Sequence, residues 1–317
     1  MKAAVLRQFG QPLCIEDRPT PEPKGEEILV RVLAAGVCHS DLHLQDGAYP
    51  NLHLPLVLGH EIAGVAEGIG QVLVYASWSC GLCNSCRAGN NQLCPEATEA
   101  GWARDGGYAE YVLVPSRKYL IPLEGLDPIT AAPLADAGCT PYRAVQRICP
   151  WLDRGCNVVV IGAGGLGQFA IQYLRLLTPS KVIVIDHSDA KRLRALELGA
   201  HEASSPDAAP EHARAVLDFV GSDDTLRMAA RIVDRSGIVV QVGEGGGRLP
   251  FGLGLIPHEA VFTTSIWGSP ADLAAVLEHA RRGEIQMQVQ TMPLQEVNEA
   301  FDRLRRGGVR GRLVLLP

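Results

Sequence analysis

A glycine-rich turn in the second half of the chain constrains the fold more than any other feature. Gly162, Gly164 and Gly167 satisfy the pattern G-x-G-x-x-G, with the apolar segment VVVIG before it and the helical segment GLGQFAIQYLRLL after it. In this context the first glycine permits a tight turn, the second lets the backbone approach a pyrophosphate, and the third lets the helix pack on the strand. The helix N-terminus adds N–H donors and the positive end of its dipole. The pattern therefore predicts a dinucleotide site; a glycine turn that serves only packing is the alternative.

Alternating strands and helices extend this turn into a parallel sheet. The strand-like segments KVIVID, AVLDFVG and IVVQVG are separated by the helical segments AKRLRALELG and TLRMAARIV. Such alternation indicates βαβ units and hence an α/β domain. Asp186 ends the second strand about 20 residues after the turn, where a carboxylate accepts hydrogen bonds from the ribose hydroxyls and repels a 2′-phosphate. We therefore expect NAD rather than NADP. For Asp186 taken alone, the alternative is an ordinary carboxylate at the end of a strand.

The first half of the chain has the pattern of a β domain. Short strand-like segments, separated by Pro and Gly, run over residues 5–9, 27–35, 61–66 and 108–114. The pattern changes near Asp136, where the α/β half begins. A further helix is expected over residues 271–282, and the chain closes on the strand GRLVLLP.

Four closely spaced cysteines predict a structural metal site. Cys80, Cys83, Cys86 and Cys94 follow the spacing C-x2-C-x2-C-x7-C. Four thiolates complete a tetrahedral shell around zinc and leave no open position. The segment has little apolar content of its own, so metal would have to order it. A disulfide knot is the alternative, but short regular spacings in a chain without secretory features favour metal.

Composition excludes several functional classes. The chain has 317 residues, enough for two domains, and 47% of them are hydrophobic, enough for sizeable cores. Its net charge of −6 offers no basic surface for nucleic acid. No segment approaches the roughly 18 apolar residues of a membrane span, and the N-terminal MKAAVLRQFG has no apolar signal-peptide core. With nine scattered cysteines, these observations predict a soluble cytoplasmic protein.

Three dispersed residues are candidate ligands of a second metal ion. Cys38 lies in AAGVCHSDLH, His60 in LGHEIAG and Asp136 in PLADAGCTPY. Each is weak alone, since a single cysteine or histidine is more often a core or surface residue. Three ligands with one open position would make a catalytic zinc site. Asp41 and Glu61 are candidates for the residue that orients His60 through its second ring nitrogen.

Taken together, these motifs give the chain a resemblance that covers nearly its whole length. It resembles the zinc-dependent alcohol dehydrogenases of the medium-chain dehydrogenase/reductase superfamily in GVCHSDLH, GHEIAGVAEGIG, the four-cysteine segment, DAGCTPY, GAGGLG and the closing RGRLVLLP. The Asp in PLADAG and the SIWG segment are similar to those of bacterial members that act on secondary alcohols. The resemblance implies a GroES-like β-barrel catalytic domain over residues 1–137 and 270–317, with a zinc lobe at about 78–96. It also implies a Rossmann domain, a doubly wound parallel sheet, over residues 138–269, with the active site in the cleft.

The resemblance assigns the metal ligands. Cys38, His60 and Asp136 would bind the catalytic zinc, the last in place of the thiolate that other relatives have. Glu61 would stand beside that zinc and could enter its coordination sphere. The four-cysteine segment would hold the structural zinc, which makes two zinc ions per chain.

The resemblance also assigns the proton relay, the cofactor contacts and the pocket. Ser40 and His43 would pass the substrate proton through the nicotinamide ribose to solvent, as a hydroxyl and a histidine of pKa about 6.5 can do. Ser40 as a turn residue and His43 as a surface residue are the alternatives. The implied cofactor residues are His39, Thr140, Gly162, Gly164, Gly165, Leu166, Gly167, Asp186, Val242 and Arg312, and the implied pocket residues are Ser40, Tyr49, Leu54 and Trp267. The alternative for Arg312 is a solvated charge at the protein surface. The alternative for the apolar pocket residues is that they pack in the core.

Two segments are shorter than the family pattern. Near Gln71 about ten residues that turn into the next barrel strand are missing, and residues 203–215 lack a helix that normally precedes the next sheet strand. Neither gap removes a motif residue. We expect the first to weaken the barrel beside the metal lobe and the second to uncover one face of the sheet.

These features predict an enzyme that oxidises alcohols, secondary ones in particular, to ketones or aldehydes with NAD and zinc, and catalyses the reverse reduction. It would be a homodimer or homotetramer, built by the family's habit of pairing Rossmann sheets, and would use neither nucleic acid nor membrane. A polyol or primary-alcohol dehydrogenase is the alternative with the same machinery. A catalytically silent NAD-binding protein is the alternative from another class, although every residue that the chemistry requires is present. Cys38, His60 and the lobe cysteines argue against a zinc-free quinone reductase.

Overall fold

The chain folds as two compact units. The computed structural model describes all residues, 1–317. The barrel unit comprises residues 1–139 and 268–317, and the sheet unit comprises residues 140–267. Both boundaries lie two residues from those expected from the sequence, which were 137/138 and 269/270.

Eighteen strands and nine α-helices make up the two units. The strands are β1 (Lys2–Leu6), β2 (Cys14–Asp17), β3 (Ile28–Val37), β4 (Leu56–Val57), β5 (Glu61–Ala66), β6 (Gly70–Val74), β7 (Ser77–Trp78), β8 (Thr98–Glu99), β9 (Tyr111–Val114), β10 (Leu120–Pro122), β11 (Asn157–Ile161), β12 (Lys181–Ile185), β13 (Glu202–Ser204), β14 (Ala213–Asp218), β15 (Val233–Gln241), β16 (Val261–Thr264), β17 (Val289–Pro293) and β18 (Arg312–Leu316). The helices are α1 (His39–Asp46), α2 (Asn84–Arg87), α3 (Pro128–Ala131), α4 (Cys139–Ile148), α5 (Gly167–Leu177), α6 (Asp189–Glu197), α7 (Asp223–Ile232), α8 (Pro270–Arg281) and α9 (Val297–Arg305). None of these helices has both the length and the apolarity that crossing a membrane requires.

The barrel unit is built on a seven-stranded sheet. Its strands lie in the order β10-β6-β5-β3-β18-β17, with β9 also paired to β3. Strand β18 pairs antiparallel with β3, so the C-terminal segment completes a sheet that begins near the N-terminus. Strands β5 and β6 form a hairpin with Gly68 at φ +71°, a left-handed value that favours glycine. The shortened segment near Gln71 is therefore a tight turn, and β6 still pairs with β10.

The sheet unit is a six-stranded parallel sheet. Its strands lie in the order β13-β12-β11-β14-β15-β16, which is the doubly wound order 3-2-1-4-5-6 of a Rossmann sheet. Val158, Val159 and Val160 of β11 are fully buried, as expected of a central strand covered on both faces. In this topology a ligand binds outside the carboxyl ends of the strands where the order reverses, here between β11 and β14. The predicted α/β class is confirmed.

The second shortened segment does not uncover the sheet. Between β13 and β14 the chain forms only a one-turn 3-10 helix, Pro206–Ala208, in agreement with the prediction that a full α-helix does not fit. Val159, Ile183 and Val216 on the face beneath are nevertheless at most 3% exposed, and Ala209 of the short connection packs against them. The expectation of an uncovered face was wrong, because Ala209 of the connection packs on this cluster together with Ala229 and Ile232 of α7.

Candidate active site and metal centres

The three candidate ligands of the catalytic metal converge in the barrel unit. Cys38 precedes α1, His60 precedes β5, and Asp136 ends a buried 3-10 turn. Their ligand atoms all lie within 4.8 Å of one another. Cys38 Sγ is 3.4 Å from Asp136 Oδ2, and His60 Nε2 is 3.5 Å from the same oxygen. One sulfur, one nitrogen and one oxygen are donors that zinc accepts, and three protein ligands leave the fourth position of a tetrahedron open for substrate.

Asp41 holds two of these ligands in place. Cys38 is the N-cap of α1 and Asp41 is its third residue, so Asp41 Oδ2 accepts a hydrogen bond from the Cys38 N–H at 2.9 Å in a capping box. Asp41 Oδ1 lies 3.4 Å from His60 Nδ1, the ring nitrogen that faces away from the metal site. The Tyr108 hydroxyl donates to Asp41 Oδ2 at 2.6 Å. The fully buried Asp41 is therefore placed to orient His60. From the sequence, both Asp41 and Glu61 were candidates for this role.

The electrostatics of the site favour a bound cation. Burial lowers the pKa of His60, but the charge of Asp41 and hydrogen bonds to Asp136, Asp41 and Cys38 outweigh it and raise that pKa well above 6.5. Burial, followed by the charge of Asp136, raises the pKa of the Cys38 thiol. An unneutralised thiolate beside two carboxylates is costly in a buried site, and a divalent metal removes that cost.

Arg312 has a buried protein partner that the sequence did not predict. Its side chain points into the barrel, where it is 4% exposed, and its Nη2 donates to Glu61 Oε1 at 2.5 Å. Glu61 Oε1 also accepts the Ala137 N–H at 3.1 Å, one residue beyond the ligand Asp136. Glu61 and Arg312 therefore form a buried ion pair beside the metal ligands, which rules out a solvated surface charge for Arg312, and its contact with the pyrophosphate stays a prediction.

The relay residues share helix α1 with Asp41. Ser40 Oγ lies 3.8 Å from Cys38 Sγ, so the hydroxyl stands beside the metal ligands. His43 is three residues further on, which places it on the same side of the helix, and it is half-buried. His39 begins the helix and is exposed. The helix therefore presents a hydroxyl near the metal ligands and an imidazole nearer the surface.

The four lobe cysteines form a second cluster with the geometry of a metal site. Their sulfurs lie within 4.8 Å of one another, with 3.5 Å between Cys80 and Cys94 and between Cys83 and Cys86. The backbone N–H groups of Leu82 and Cys83 point at Cys80 Sγ at 3.4 Å, and these bonds lower the pKa of that thiol. None of the nine cysteines is in a disulfide. Four converging sulfurs supply the complete tetrahedral ligand set of a structural zinc site.

The glycine turn has the geometry that a pyrophosphate requires. Gly162 has φ +89°, and its N–H donates to the Ile185 carbonyl at 2.8 Å. A Cβ on Gly167 would lie 1.9 Å from the Gly162 carbonyl oxygen, so helix and strand are in backbone contact. A Cβ on Gly164 would meet nothing within 4 Å, so this backbone is open to a ligand. The half-buried Gly165 and Leu166 complete the turn before α5.

The other predicted cofactor residues lie at the expected ends of strands. Asp186 follows β12, and its carboxylate accepts hydrogen bonds from Ala163 N in the glycine turn and from Ser188 N, both at 2.9 Å. Val242 follows β15 and donates its N–H to the Asp218 carbonyl at 2.8 Å. Thr140 is buried in α4. Asp186 and Val242 thus flank the carboxyl edge of the sheet.

The predicted pocket residues divide between the units. Tyr49 and Leu54 are half-buried in the barrel unit, whereas Trp267 is 9% exposed, has φ +50° and belongs to the sheet unit. Trp102 was not predicted from the sequence, although its ring centroid lies 5.8 Å from that of His60. Tyr108, which donates to Asp41, was not predicted either. Neither residue belongs to a motif with a chemical interpretation, and only the fold brings them to the site.

Comparisons with known proteins agree with this arrangement. The family model "Alcohol dehydrogenase GroES-like domain" matches residues 24–125, and the model "Zinc-binding dehydrogenase" matches residues 165–282. An NAD-dependent alcohol dehydrogenase of Sulfurisphaera tokodaii is 38% identical, with both chains fully covered. D-arabinose 1-dehydrogenase (NADP(+)) of Saccharolobus solfataricus is 36% identical over all of this chain and 97% of that protein. The crystal structure of an alcohol dehydrogenase of Aeropyrum pernix superimposes with a TM-score of 0.94 at 34% identity, covering both chains fully.

Proposed function

Given that the chain belongs to the zinc-dependent alcohol dehydrogenases of the medium-chain dehydrogenase/reductase superfamily, we propose that it oxidises secondary alcohols to ketones with NAD and catalyses the reverse reduction. The convergence of Cys38, His60 and Asp136 on one point is the observation that carries this proposal. Zinc, when bound there, supplies a Lewis acid strong enough to lower the pKa of bound water from 15.7 to about 7, and it acts similarly on an alcohol. The nicotinamide supplies the hydride acceptor.

The side chains of the protein bind the metal, orient its ligand and transfer the proton. Cys38, His60 and Asp136 hold the metal, and Asp41 keeps His60 in the orientation that metal binding needs. Ser40 accepts the hydroxyl proton of the alcohol while it donates its own proton onward, and the relay would continue through the nicotinamide ribose to His43, which releases a proton to water. Loss of that proton leaves the electron pair that expels hydride from the carbinol carbon to the nicotinamide. The position of the Ser40 hydroxyl, 3.8 Å from Cys38 Sγ, supports its place as the first group of the relay.

NAD is the proposed cofactor because of Asp186. Its carboxylate is held by two backbone N–H groups at the end of β12, where the fold places the adenosine ribose. A carboxylate so placed accepts from ribose hydroxyls and repels a 2′-phosphate. One relative is named as an NADP enzyme and another as an NAD enzyme, so the family does not decide the cofactor and the residues of this chain must.

A sugar or polyol is the second candidate substrate class. The relative named for D-arabinose, at 36% identity over the whole chain, favours it. The ring of Tyr49, which contacts Trp102 next to His60, favours a less polar alcohol instead. Primary alcohols would use the same residues. The assignment to alcohol dehydrogenases of broad specificity, rather than to an enzyme for one particular alcohol, is therefore part of the proposal.

The test is NADH formation, followed by absorbance, from NAD and a panel that contains 2-propanol, 1-phenylethanol, ethanol and D-arabinose. We expect secondary alcohols to be oxidised fastest, chelator treatment to abolish turnover, and added zinc to restore it. Turnover of D-arabinose alone would replace the proposal with the sugar alternative. No turnover in protein that holds two zinc ions would contradict the enzyme assignment and favour the silent NAD-binding protein.

A further inference from the structure

Tyr108 is a fully buried side chain that packs between the segments of two metal ligands in the barrel unit. Its hydroxyl lies 3.2 Å from the carbonyl oxygen of Gly36, two residues before Cys38. A Cβ on Gly59, which precedes His60, would lie 2.5 Å from Tyr108 Cδ1, so the ring packs directly on the backbone there. A single phenol therefore contacts the backbone beside both ligands.

The backbone and the ring of Tyr108 are both held in place by their neighbours. Its N–H donates to the Leu58 carbonyl at 2.9 Å, and its own carbonyl accepts from the Ala4 N–H at 2.8 Å. The ring of Phe301 on α9 meets the phenol edge to face, with 6.1 Å between the ring centroids and 66° between the ring planes. A phenylalanine would provide the same packing, so the hydroxyl is the part of the side chain that needs a separate explanation.

The hydroxyl makes the two oxygens of Asp41 unequal. Oδ2 accepts from the Tyr108 hydroxyl at 2.6 Å and from the Cys38 N–H at 2.9 Å, whereas Oδ1 has no donor except His60 Nδ1, which faces it at 3.4 Å. A hydroxyl that donates to a carboxylate over this distance forms a charge-assisted hydrogen bond, which is about twice as strong as a neutral one. Burial, followed by the charge of Asp41, raises the pKa of Tyr108 well above 10, so the hydroxyl keeps its proton and remains a donor.

Resting on the zinc site of the proposed function, we infer that Tyr108 is a positioning residue that reserves Asp41 Oδ1 for His60. Two donors fixed in the barrel occupy Oδ2, so the carboxylate does not rotate, and Oδ1 selects the His60 tautomer that carries its proton on Nδ1. His60 Nε2 then presents its lone pair to the metal position that it shares with Cys38 and Asp136. Tyr108 acts only through Asp41 and His60, and what it contributes is affinity for zinc.

The test is zinc retention in Tyr108→Phe, which keeps the ring and removes the hydroxyl. Each protein is dialysed against a graded series of chelator concentrations, and the zinc per chain is measured by mass spectrometry. The dissociation constant of the catalytic zinc should rise about 10-fold, because the partners of a ligating histidine contribute about 10- to 100-fold to metal affinity. The zinc of the four-cysteine lobe should be retained as in the wild type. Tyr75→Phe is the matched control and should retain both zinc ions like the wild type, since Tyr75 is also buried and its hydroxyl donates to the Gly268 carbonyl at 2.8 Å.

Two results would overturn the inference. Wild-type retention of the catalytic zinc in Tyr108→Phe would mean that Asp41 and His60 keep their arrangement without the hydroxyl. Loss of both zinc ions over the same range of chelator concentration would mean that Tyr108 supports the fold as a whole rather than one metal site.

A double-variant cycle tests whether Tyr108 acts through Asp41. The variant that combines Asp41→Asn with Tyr108→Phe should bind zinc no more weakly than Asp41→Asn alone, because the hydroxyl then has no charged carboxylate to hold. Losses of affinity that add would mean that Tyr108 acts by another route and would overturn the inference. Neither measurement requires NAD or an alcohol. A lack of turnover would therefore contradict the proposed function and leave the zinc affinities to decide the role of Tyr108.

Discussion

Asp41 connects more of the catalytic centre than any other single residue. Its Oδ2 accepts from the Cys38 N–H and the Tyr108 hydroxyl, and its Oδ1 faces His60 Nδ1. Two metal ligands from different segments therefore depend on one buried carboxylate. Such a partner of a ligating histidine typically contributes about 10- to 100-fold to metal affinity or activity.

Asp41→Asn should therefore weaken zinc binding and lower kcat/KM by about 10- to 100-fold each, because an amide keeps the size of the side chain but loses its charge. Zinc affinity measured by competition with a chelator, together with NADH formation, checks this. Asp46→Asn is the matched control, since Asp46 lies on the same helix, is exposed and pairs with Arg305 at the surface. Wild-type zinc affinity in Asp41→Asn would show that His60 is oriented by something else.

The buried pair of Glu61 and Arg312 should matter for stability. Arg312→Met removes the cation and leaves the Glu61 carboxylate buried without its charge partner, which costs about 3–5 kcal/mol of unfolding free energy. Thermal unfolding monitored by circular dichroism should show a lower midpoint. The exposed pair of Lys2 and Asp17 provides the control, because Lys2→Met should cost about 0–1 kcal/mol. Equal midpoints for the two variants would contradict a stabilising role for the buried pair.

At the scale of elements, glycines decide how closely segments approach. Gly101 and Gly68 have nearly equal φ values, +73° and +71°, but only Gly101 is pressed against another backbone. The left-handed conformation costs any other residue roughly 1–2 kcal/mol. A Cβ on residue 101 would also clash with the backbone of Gly59, and only movement of the whole turn that carries Trp102 could relieve this clash.

Gly101→Ala should therefore lower the melting temperature further than Gly68→Ala, which bears only the conformational cost of about 1–2 kcal/mol. Gly101→Ala should also displace Trp102 and change the near-UV circular dichroism of the aromatic side chains. Differential scanning calorimetry and near-UV circular dichroism measure the two effects. Matching melting temperatures in the two variants would mean that the contact at Gly59 relaxes at no cost.

The short connection between β13 and β14 provides a second comparison. Ala209 packs on the buried sheet face, whereas its neighbour Ala208 is exposed. Ala209→Asp would bring a carboxylate against that apolar face and should cost about 2–4 kcal/mol, while Ala208→Asp should stay within about 0.5 kcal/mol. Denaturant unfolding of both variants, measured with and without NAD, reports the stability of the sheet unit. A stable Ala209→Asp variant would show that the connection lifts away from the sheet.

The sequence predicted the elements whose partners are near in the chain. The glycine turn, α5 and β12 follow from local pattern, and the three metal ligands follow from motifs. Strand β1 was predicted three residues too late, because the alternation in VLRQF continues beyond the paired residues. The partner of Arg312 and the position of Trp102 were not predictable, since Glu61 lies 251 residues from Arg312 and Trp102 reaches His60 only through backbone contacts of distant glycines.

At the scale of the whole molecule, one loop has an apolar surface that a lone chain would not need. Phe251, Leu253 and Leu255 are 72%, 97% and 61% exposed. They precede β16, an edge strand that pairs only with β15. An edge strand with free N–H and C=O groups pairs readily with its own copy about a two-fold axis, which buries neighbouring apolar side chains twice. These features fit the expectation of a homodimer or homotetramer built through the sheet unit.

Leu253→Asp should therefore shift the protein towards smaller species, with an increase of about 100-fold or more in the dissociation constant, because a two-fold interface would bury the new carboxylate twice. Light scattering coupled to size exclusion, over a range of protein concentrations, measures the assembly. Leu82→Asp is the control, since Leu82 is 73% exposed but lies in the zinc lobe of the barrel unit. A wild-type protein that is monomeric at all concentrations would contradict the prediction. So would a Leu253→Asp variant that assembles like the wild type, because the interface would then lie away from β16 and its loop.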